Sequence, residues 1–230
     1  MLIDGLQKLT LLDFPGHTAC TVFTGACNFR CPFCHNASLV LRPNELPTMP
    51  ETEFFRFLES RRGLLDGVAV TGGEPTLQPD LPEFMAKIRE MGYAVKLDTN
   101  GARPEVLRDI LNAGLADYVA MDIKSSRENY EKAAGVKGIL PAVLESIDLL
   151  QRSGMAFEFR TTAVKNLHTE ADFRAIGEWL AGTERYFIQS YRDSGDVLAP
   201  GMDAFSNAEL HGLLAAVLPH IPKAQLRGVD

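Results

Sequence analysis

The chain has 230 residues, is 46% hydrophobic and carries a net charge of −7, a composition that fits one globular domain, 1–230, with a substantial core. No apolar run approaches the roughly 20 residues that span a bilayer, and no basic tract or surplus exists to hold nucleic acid, so neither membrane nor nucleic acid is an expected partner. The opening Met1-Leu2-Ile3-Asp4-Gly5-Leu6 lacks the basic start and long apolar core of a signal peptide, and a cytoplasmic location is expected. Up to position 50 the charges cancel, Lys8, Arg30 and Arg42 against Asp4, Asp13 and Glu45, which puts the acidic surplus in the remainder.

The first strand is expected over 18–24, where Thr18-Ala19-Cys20-Thr21-Val22-Phe23-Thr24 is β-rich and Cys20 reads as a small core residue. The loop 25–36 that follows is too irregular for helix or strand and holds Cys27, Cys31 and Cys34 at C-x3-C-x2-C spacing. Three thiolates can hold a four-iron cluster and leave one iron open to a substrate. The same trio with His35 or His17 can instead make a Cys3His zinc site. A disulfide framework does not fit, because four cysteines are too few to staple a chain of this length.

A helix is expected from Glu51 to Leu65, then a strand at 67–71 that runs into Thr71-Gly72-Gly73-Glu74-Pro75. The next helix, Pro79 to Met91, puts Leu81, Phe84, Met85 and Ile88 on one face, with Pro79 or Asp80 to open it and Gly92 to close it. Strand 93–98 leads into Asp98-Thr99-Asn100-Gly101, and the helix Pro104 to Ala113 stops before Gly114. Strand 117–122 leads into Asp122-Ile123-Lys124, and the helix Ile139 to Ser153 stops before Gly154. Strand 155–164 carries Arg160 and strand 185–190 carries Gln189, with helices from Thr169 to Leu180 and from Ser206 to Leu218 after them.

Six alternating βα units imply a parallel sheet with right-handed crossovers. Reactive-looking residues gather at the carboxyl ends of the strands, as in β/α barrels, yet six units cannot close the usual eight-stranded barrel. The expected fold is therefore α/β, a single-domain partial (β/α)6 barrel whose open side can admit something large. Gly72 and Gly73 allow backbone to approach a ligand, Pro75 stiffens the turn, and the Glu74 carboxylate suits an ammonium group, although such a turn can also be a plain connector. Asp98 and Asp122 read as helix caps or as paired acids that need positive charge nearby.

C-x3-C-x2-C followed by a Gly-Gly-Glu-Pro turn resembles the radical S-adenosylmethionine (radical SAM) superfamily. The run Cys27 to Asn36, with Leu97-Asp98-Thr99-Asn100-Gly101 and Met121-Asp122-Ile123-Lys124, resembles its glycyl-radical-enzyme activase branch. The opening Leu6-Gln7-Lys8-Leu9-Thr10-Leu11-Leu12-Asp13-Phe14-Pro15-Gly16 is similar to activating proteins of anaerobic ribonucleoside-triphosphate reductase.

The resemblance implies a radical SAM oxidoreductase. Cys27, Cys31 and Cys34 would hold a 4Fe-4S cluster whose open iron takes the amino and carboxylate groups of SAM, and one electron would split the sulfonium into methionine and a 5′-deoxyadenosyl radical. It implies SAM contacts from Phe33, Asn36, Gly72, Gly73, Glu74, Asp98, Thr99, Lys124 and Arg160, with Phe29 shielding the cluster. It also implies a monovalent cation held by Asp98 and Asp122 beside the SAM carboxylate. Arg160 can alternatively serve strand pairing, and His35 reads as support for the cysteine loop. In Tyr191-Arg192-Asp193-Ser194-Gly195, Arg192 stands where some activases have a histidine, which leaves it without an assigned role. The implied partners are a glycyl-radical enzyme, first of all anaerobic ribonucleotide reductase, and a low-potential electron donor such as flavodoxin or ferredoxin. The competing readings are activation of another glycyl-radical enzyme, a small-molecule radical SAM enzyme such as a deazaguanine-forming synthase, and a zinc-stabilised interaction module.

Overall fold

The computed structural model describes residues 1–45, 47–193 and 195–229. Its strands and helices are, in chain order, β1 (Leu2–Ile3), β2 (Gly5–Thr10), β3 (Ala19–Thr24), α1 (Ala37–Leu41), β4 (Met49–Pro50), α2 (Glu51–Glu59), β5 (Gly67–Gly72), α3 (Leu81–Glu90), β6 (Ala94–Thr99), α4 (Pro104–Asn112), β7 (Tyr118–Asp122), α5 (Tyr130–Ala134), α6 (Leu140–Arg152), β8 (Phe157–Ala163), α7 (Glu170–Trp179), β9 (Tyr186–Ser190), α8 (Asn207–Val217) and β10 (Gln225–Arg227). None of these helices is long and apolar enough to cross a membrane.

The expected strands form and pair in parallel in the order β9-β8-β7-β6-β5-β3. Two strands that the sequence hid extend the sheet. Antiparallel β2 joins β3 at one edge, and parallel β10 joins β9 at the other. In this order β2 and β10 lie at opposite ends of the sheet, so the barrel is partial, as the six-unit count implies. Both hidden strands are edges: β2 exposes Gln7, Lys8 and Leu9 in a row and β10 has only three residues, so neither shows a clean alternation. The expected helix ending at Leu65 stops early. Ser60 caps α2, its backbone N–H bonding Arg56 O and its hydroxyl donating to Phe57 O (2.7 Å), and the chain then turns through Gly63.

Alternation along the strands separates two environments. Val68 and Val70 of β5, Val95 and Leu97 of β6, and Val119 and Met121 of β7 are fully buried in one cluster with Phe84, Met85 and Ile88 of α3, Ile110 of α4, Ile147 of α6 and Phe173 of α7. This is the core. The other face carries Lys96 and Asp98, Tyr118 and Asp122, and Glu158 and Arg160, brought level by the registers Lys96 with Tyr118 and Asp122 with Arg160.

At the amino ends of the strands this second face is closed by Phe14. Its ring packs with Ala19 and Tyr118, stacks on His17 at 4.0 Å, and leaves no room for a side chain at Gly67, whose Cβ would lie 2.9 Å away. Thr21 donates to Asp13 at 2.6 Å and holds the plug in place. The carboxyl ends stay open.

Candidate active site

The segments leaving β3, β5, β6, β7 and β8 meet in a cleft that encloses about 170 Å³. It is lined by Cys27, Cys31, Cys34, Phe29, Phe33, His35 and Asn36 from the cysteine loop, Gly72, Gly73 and Glu74 after β5, Asp98 and Thr99, Asp122 and Lys124, and Arg160. Every site residue expected from the sequence is therefore in one place. Cys20 is fully buried on β3, away from this lining.

The cysteine loop is positioned by backbone. Gly73 N–H donates to Thr24 O (2.7 Å) and Glu74 N–H to Ala26 O (2.8 Å). A Cβ on Gly73 would lie 1.8 Å from Ala26 O, and one on Gly72, at φ +120°, would lie 2.3 Å from Thr24 N. The two glycines thus let the β5 turn close on the exit of β3 while they also line the cleft. Ala26 takes φ +63°, uncommon for a residue with a side chain, as the chain turns into Cys27. Phe29 N–H points at the Cys27 sulfur (3.4 Å), and Cys31 Sγ lies 3.7 Å from Ala134 O.

Asn100 is a brace that the sequence reading missed, since Asn-Gly after a strand reads as a turn. Its amide donates to Asn28 Oδ1 (2.8 Å) and reaches the Cys27 sulfur (3.8 Å), while its backbone N–H donates to Glu74 Oε2 (2.7 Å). Glu74 itself is 1% exposed. Its Oε1 accepts from Thr76 N–H, Thr76 Oγ1 and Thr99 Oγ1 (3.1, 2.6 and 2.8 Å). Burial raises its pKa, and these donors oppose the rise. Glu74 therefore ties the β5 turn to the end of β6, with acceptor capacity left on Oε2.

Beyond Glu74 lies a buried charge network. Arg160 Nε donates to Asp122 Oδ1 (2.9 Å) and its Nη1 to Asp98 Oδ2 (3.2 Å); Lys124 pairs with Asp122 Oδ2 (3.0 Å), and Lys96 pairs with Asp98. Burial alone would raise both carboxyls, but Arg160, with Lys124 at Asp122 and Lys96 at Asp98, reverses this and holds them below the usual carboxylate range. Of the three cations Lys124 and Arg160 line the cleft, while Lys96 stays behind Asp98. The chain itself thus supplies positive charge beside the two acids. Lys96, 1% exposed, is a second residue that sequence reasoning missed. Its spacing of two from Asp98 on one strand was the available signal.

The remaining expected residues act at the rim. Asn36 donates to Gly72 O at 3.5 Å, and Phe29 and Phe33 are buried beside the cysteines. His35 packs edge-on against Tyr191 at 5.3 Å, in keeping with loop support. Arg192 turns to the carboxyl-terminal segment and donates to Gly228 O (3.2 Å), while Ser194 of the same motif lies outside the described residues.

Among the described residues no three His, Cys, Asp or Glu side chains stand close enough to share one metal ion. Three thiols facing one cleft fit a cluster, which is gripped by thiolates at separated corners. Burial pushes the Cys31 thiol up to about 12 and raises Cys27, so a metal centre here must displace protons.

The Radical SAM superfamily model matches residues 21–180. A protein of Methanocaldococcus jannaschii named as a glycyl-radical enzyme activating enzyme is 32% identical over 83% of this chain and 80% of its own. A 7-carboxy-7-deazaguanine synthase of Thermococcus kodakarensis is 36% identical over 49% of this chain and 43% of its own. Among solved structures, Streptococcus suis SuiB bound to its precursor peptide superposes with a TM-score of 0.71 over 90% of this chain and 48% of that one, at 15% identity, a likeness of fold. With cysteine spacing, strand-end motifs and an open parallel sheet in agreement, the chain belongs to the radical SAM superfamily, whose cofactors are a 4Fe-4S cluster and S-adenosylmethionine.

Proposed function

We propose that the protein is a glycyl-radical-enzyme activase whose substrate is anaerobic ribonucleoside-triphosphate reductase. The observation that carries the reading is a three-cysteine cleft at the carboxyl ends of a sheet whose edges, β2 and β10, stay apart. A glycine in a polypeptide loop needs such an opening to come within contact of a radical source. The relative named for glycyl-radical enzyme activation supports the branch, and the run from Leu6 to Gly16 supports the reductase within it.

In this reading Cys27, Cys31 and Cys34 hold the cluster, while Phe29 and Phe33 exclude water beside it. Lys124 and Arg160, the two cations of the cleft lining, meet the carboxylate or ribose of SAM. Oε2 of Glu74 takes the ammonium group, and Asn36 and Thr99 line the same cleft. Once bound, the cofactor pair supplies one electron and with it a carbon radical able to take hydrogen from glycine. The network of Lys96, Asp98, Arg160, Asp122 and Lys124 is paired before any ligand arrives, so the binding charges are held in place in advance.

The test is hydrogen tracing. With a reductase carrying deuterated glycine, the reduced protein is expected to move deuterium into 5′-deoxyadenosine. The likeness to a deazaguanine-forming enzyme favours the second reading, a small-molecule substrate. Label that arrives from a small molecule, with the reductase and other glycyl-radical enzymes unactivated, would establish that reading instead.

A further inference from the structure

Cys31 is the most buried of the three cluster-loop cysteines, at 6% exposed, yet its cover is thin at one point. Its sulfur lies 3.7 Å from Ala134 O, the last residue of α5, which also accepts from Arg30 N–H (2.9 Å). The next residue, Gly135, is exposed. It takes φ +69°, and a Cβ there would lie 2.1 Å from Arg30 O. The backbone of Ala134 and Gly135 thus packs against Cys31 and Arg30 on this side of the cleft, and the glycine is what lets that layer close.

The surface around this point is basic. Arg30, Arg127, Lys132 and Lys137 are exposed, against the carboxylates Glu128 and Glu131. Glu131 is occupied by Gly138 N–H, and Arg127 lies over the Trp179 ring at 5.0 Å. Among the described residues neither Lys132 nor Lys137 has an ion-pair partner within 4 Å. In a chain of net charge −7, the exposed cations Arg30, Lys132 and Lys137, with Glu131 already engaged by Gly138 N–H, make a local field of the opposite sign. The segment follows β7 in the middle of the sheet, whereas the sheet's free edges are β2 and β10.

We propose that the patch of Arg30, Lys132 and Lys137 over Ala134 and Gly135 is the docking surface for an acidic one-electron carrier protein, which delivers its electron through this thin layer to the cluster at Cys31. The inference rests on the reading that the cysteine trio holds the cluster. In the step the carrier is oxidised by one electron and the cluster reduced by one; no bond is made or broken and no proton moves. Opposite charge steers the encounter and aligns the carrier, a gain that salt removes.

The experiment compares the wild-type protein with Lys132→Glu/Lys137→Glu and with Lys8→Glu/Lys223→Glu, which changes net charge equally at a distance. Reduced flavodoxin is the carrier, and the readouts are its affinity for each protein and the stopped-flow rate of cluster bleaching across ionic strength. The patch variant is expected to lose about tenfold or more in second-order rate and affinity at low salt, with a flattened salt dependence. Its reduction by photoreduced 5-deazariboflavin, a small uncharged reductant, should be unchanged, and the distant variant should stay within about twofold of wild type. Equal losses in the two variants, or a patch variant that keeps wild-type rate and salt dependence, would overturn the docking surface alone. A wild-type chain that takes up no cluster would overturn the cluster reading and this one with it.

Discussion

Arg160 sits between two carboxylates, and its removal leaves Asp98 and Asp122 buried with less compensation than before. Arg160→Met is expected to cost about 3–5 kcal/mol at neutral pH, measured by urea unfolding. The sign with pH follows from the shifts. In the wild type both carboxyls are held below their unfolded values, so their stabilisation is complete above those values and is lost as pH falls through the depressed folded ones. In the variant the same carboxyls rise, and protonation relieves them, so the deficit should narrow between pH 7 and about 4. A deficit independent of pH would show that the network is not what Arg160 supports. Glu74→Gln keeps the shape but turns an acceptor into a donor facing the Asn100 or Thr99 donors, at about 1–3 kcal/mol, and should weaken SAM binding as well. SAM affinity unchanged in the folded variant, by calorimetric titration, would remove Glu74 from the binding site. For the thiols, Cys31→Ala should abolish iron–sulfur absorbance after anaerobic reconstitution while Cys20→Ala retains it. Dependence on Cys20 equal to that on the trio would contradict the assignment.

Among the elements, the strands are legible because their apolar residues alternate and their exits carry chemistry. Val68 and Val70, or Val119 and Met121, mark the buried face, and the motifs begin where that alternation ends. What stayed hidden has physical reasons. β2 and β10 are edges with no two-sided burial, and α1 and α5, at five residues each, are too short to show a helical period. Lys96 stayed hidden as well, because a buried lysine is unusual unless its partner is known, and the partner Asp98 was read toward a ligand instead. The plug formed by Asp13 and Phe14 was visible only as part of a resembling motif; its burial against Ala19, Tyr118 and Gly67 supplies the cause. Phe14→Ala should cost about 3–5 kcal/mol in urea unfolding. Iron loading of the folded fraction should be unaffected, because the plug lies at the amino ends of the strands and the cysteines at the carboxyl ends. Loss of iron in proportion to nothing but the mutation, with stability intact, would mean that the plug reaches the cleft.

For the whole molecule, one sheet does two jobs by alternation: its apolar face builds the core under the helices, and its polar face builds a charged cleft closed at one end by Phe14 and open at the other. The site residues could be read from sequence because they lie where strands end, but their division of labour could not. Glu74, Gly72 and Gly73 turned out to hold chain segments together, and the acids turned out to be neutralised by Lys96, Lys124 and Arg160. The central claim is that this cleft serves a polypeptide glycine, and electron paramagnetic resonance tests it most directly. The reconstituted, reduced protein with SAM and an anaerobic ribonucleotide reductase is expected to give a doublet-type glycyl radical on the reductase, which disappears when the reductase's radical glycine is changed to alanine while some SAM cleavage continues. SAM cleavage by a fully loaded protein with no glycyl radical on the reductase or on other glycyl-radical enzymes of the same source would contradict the account.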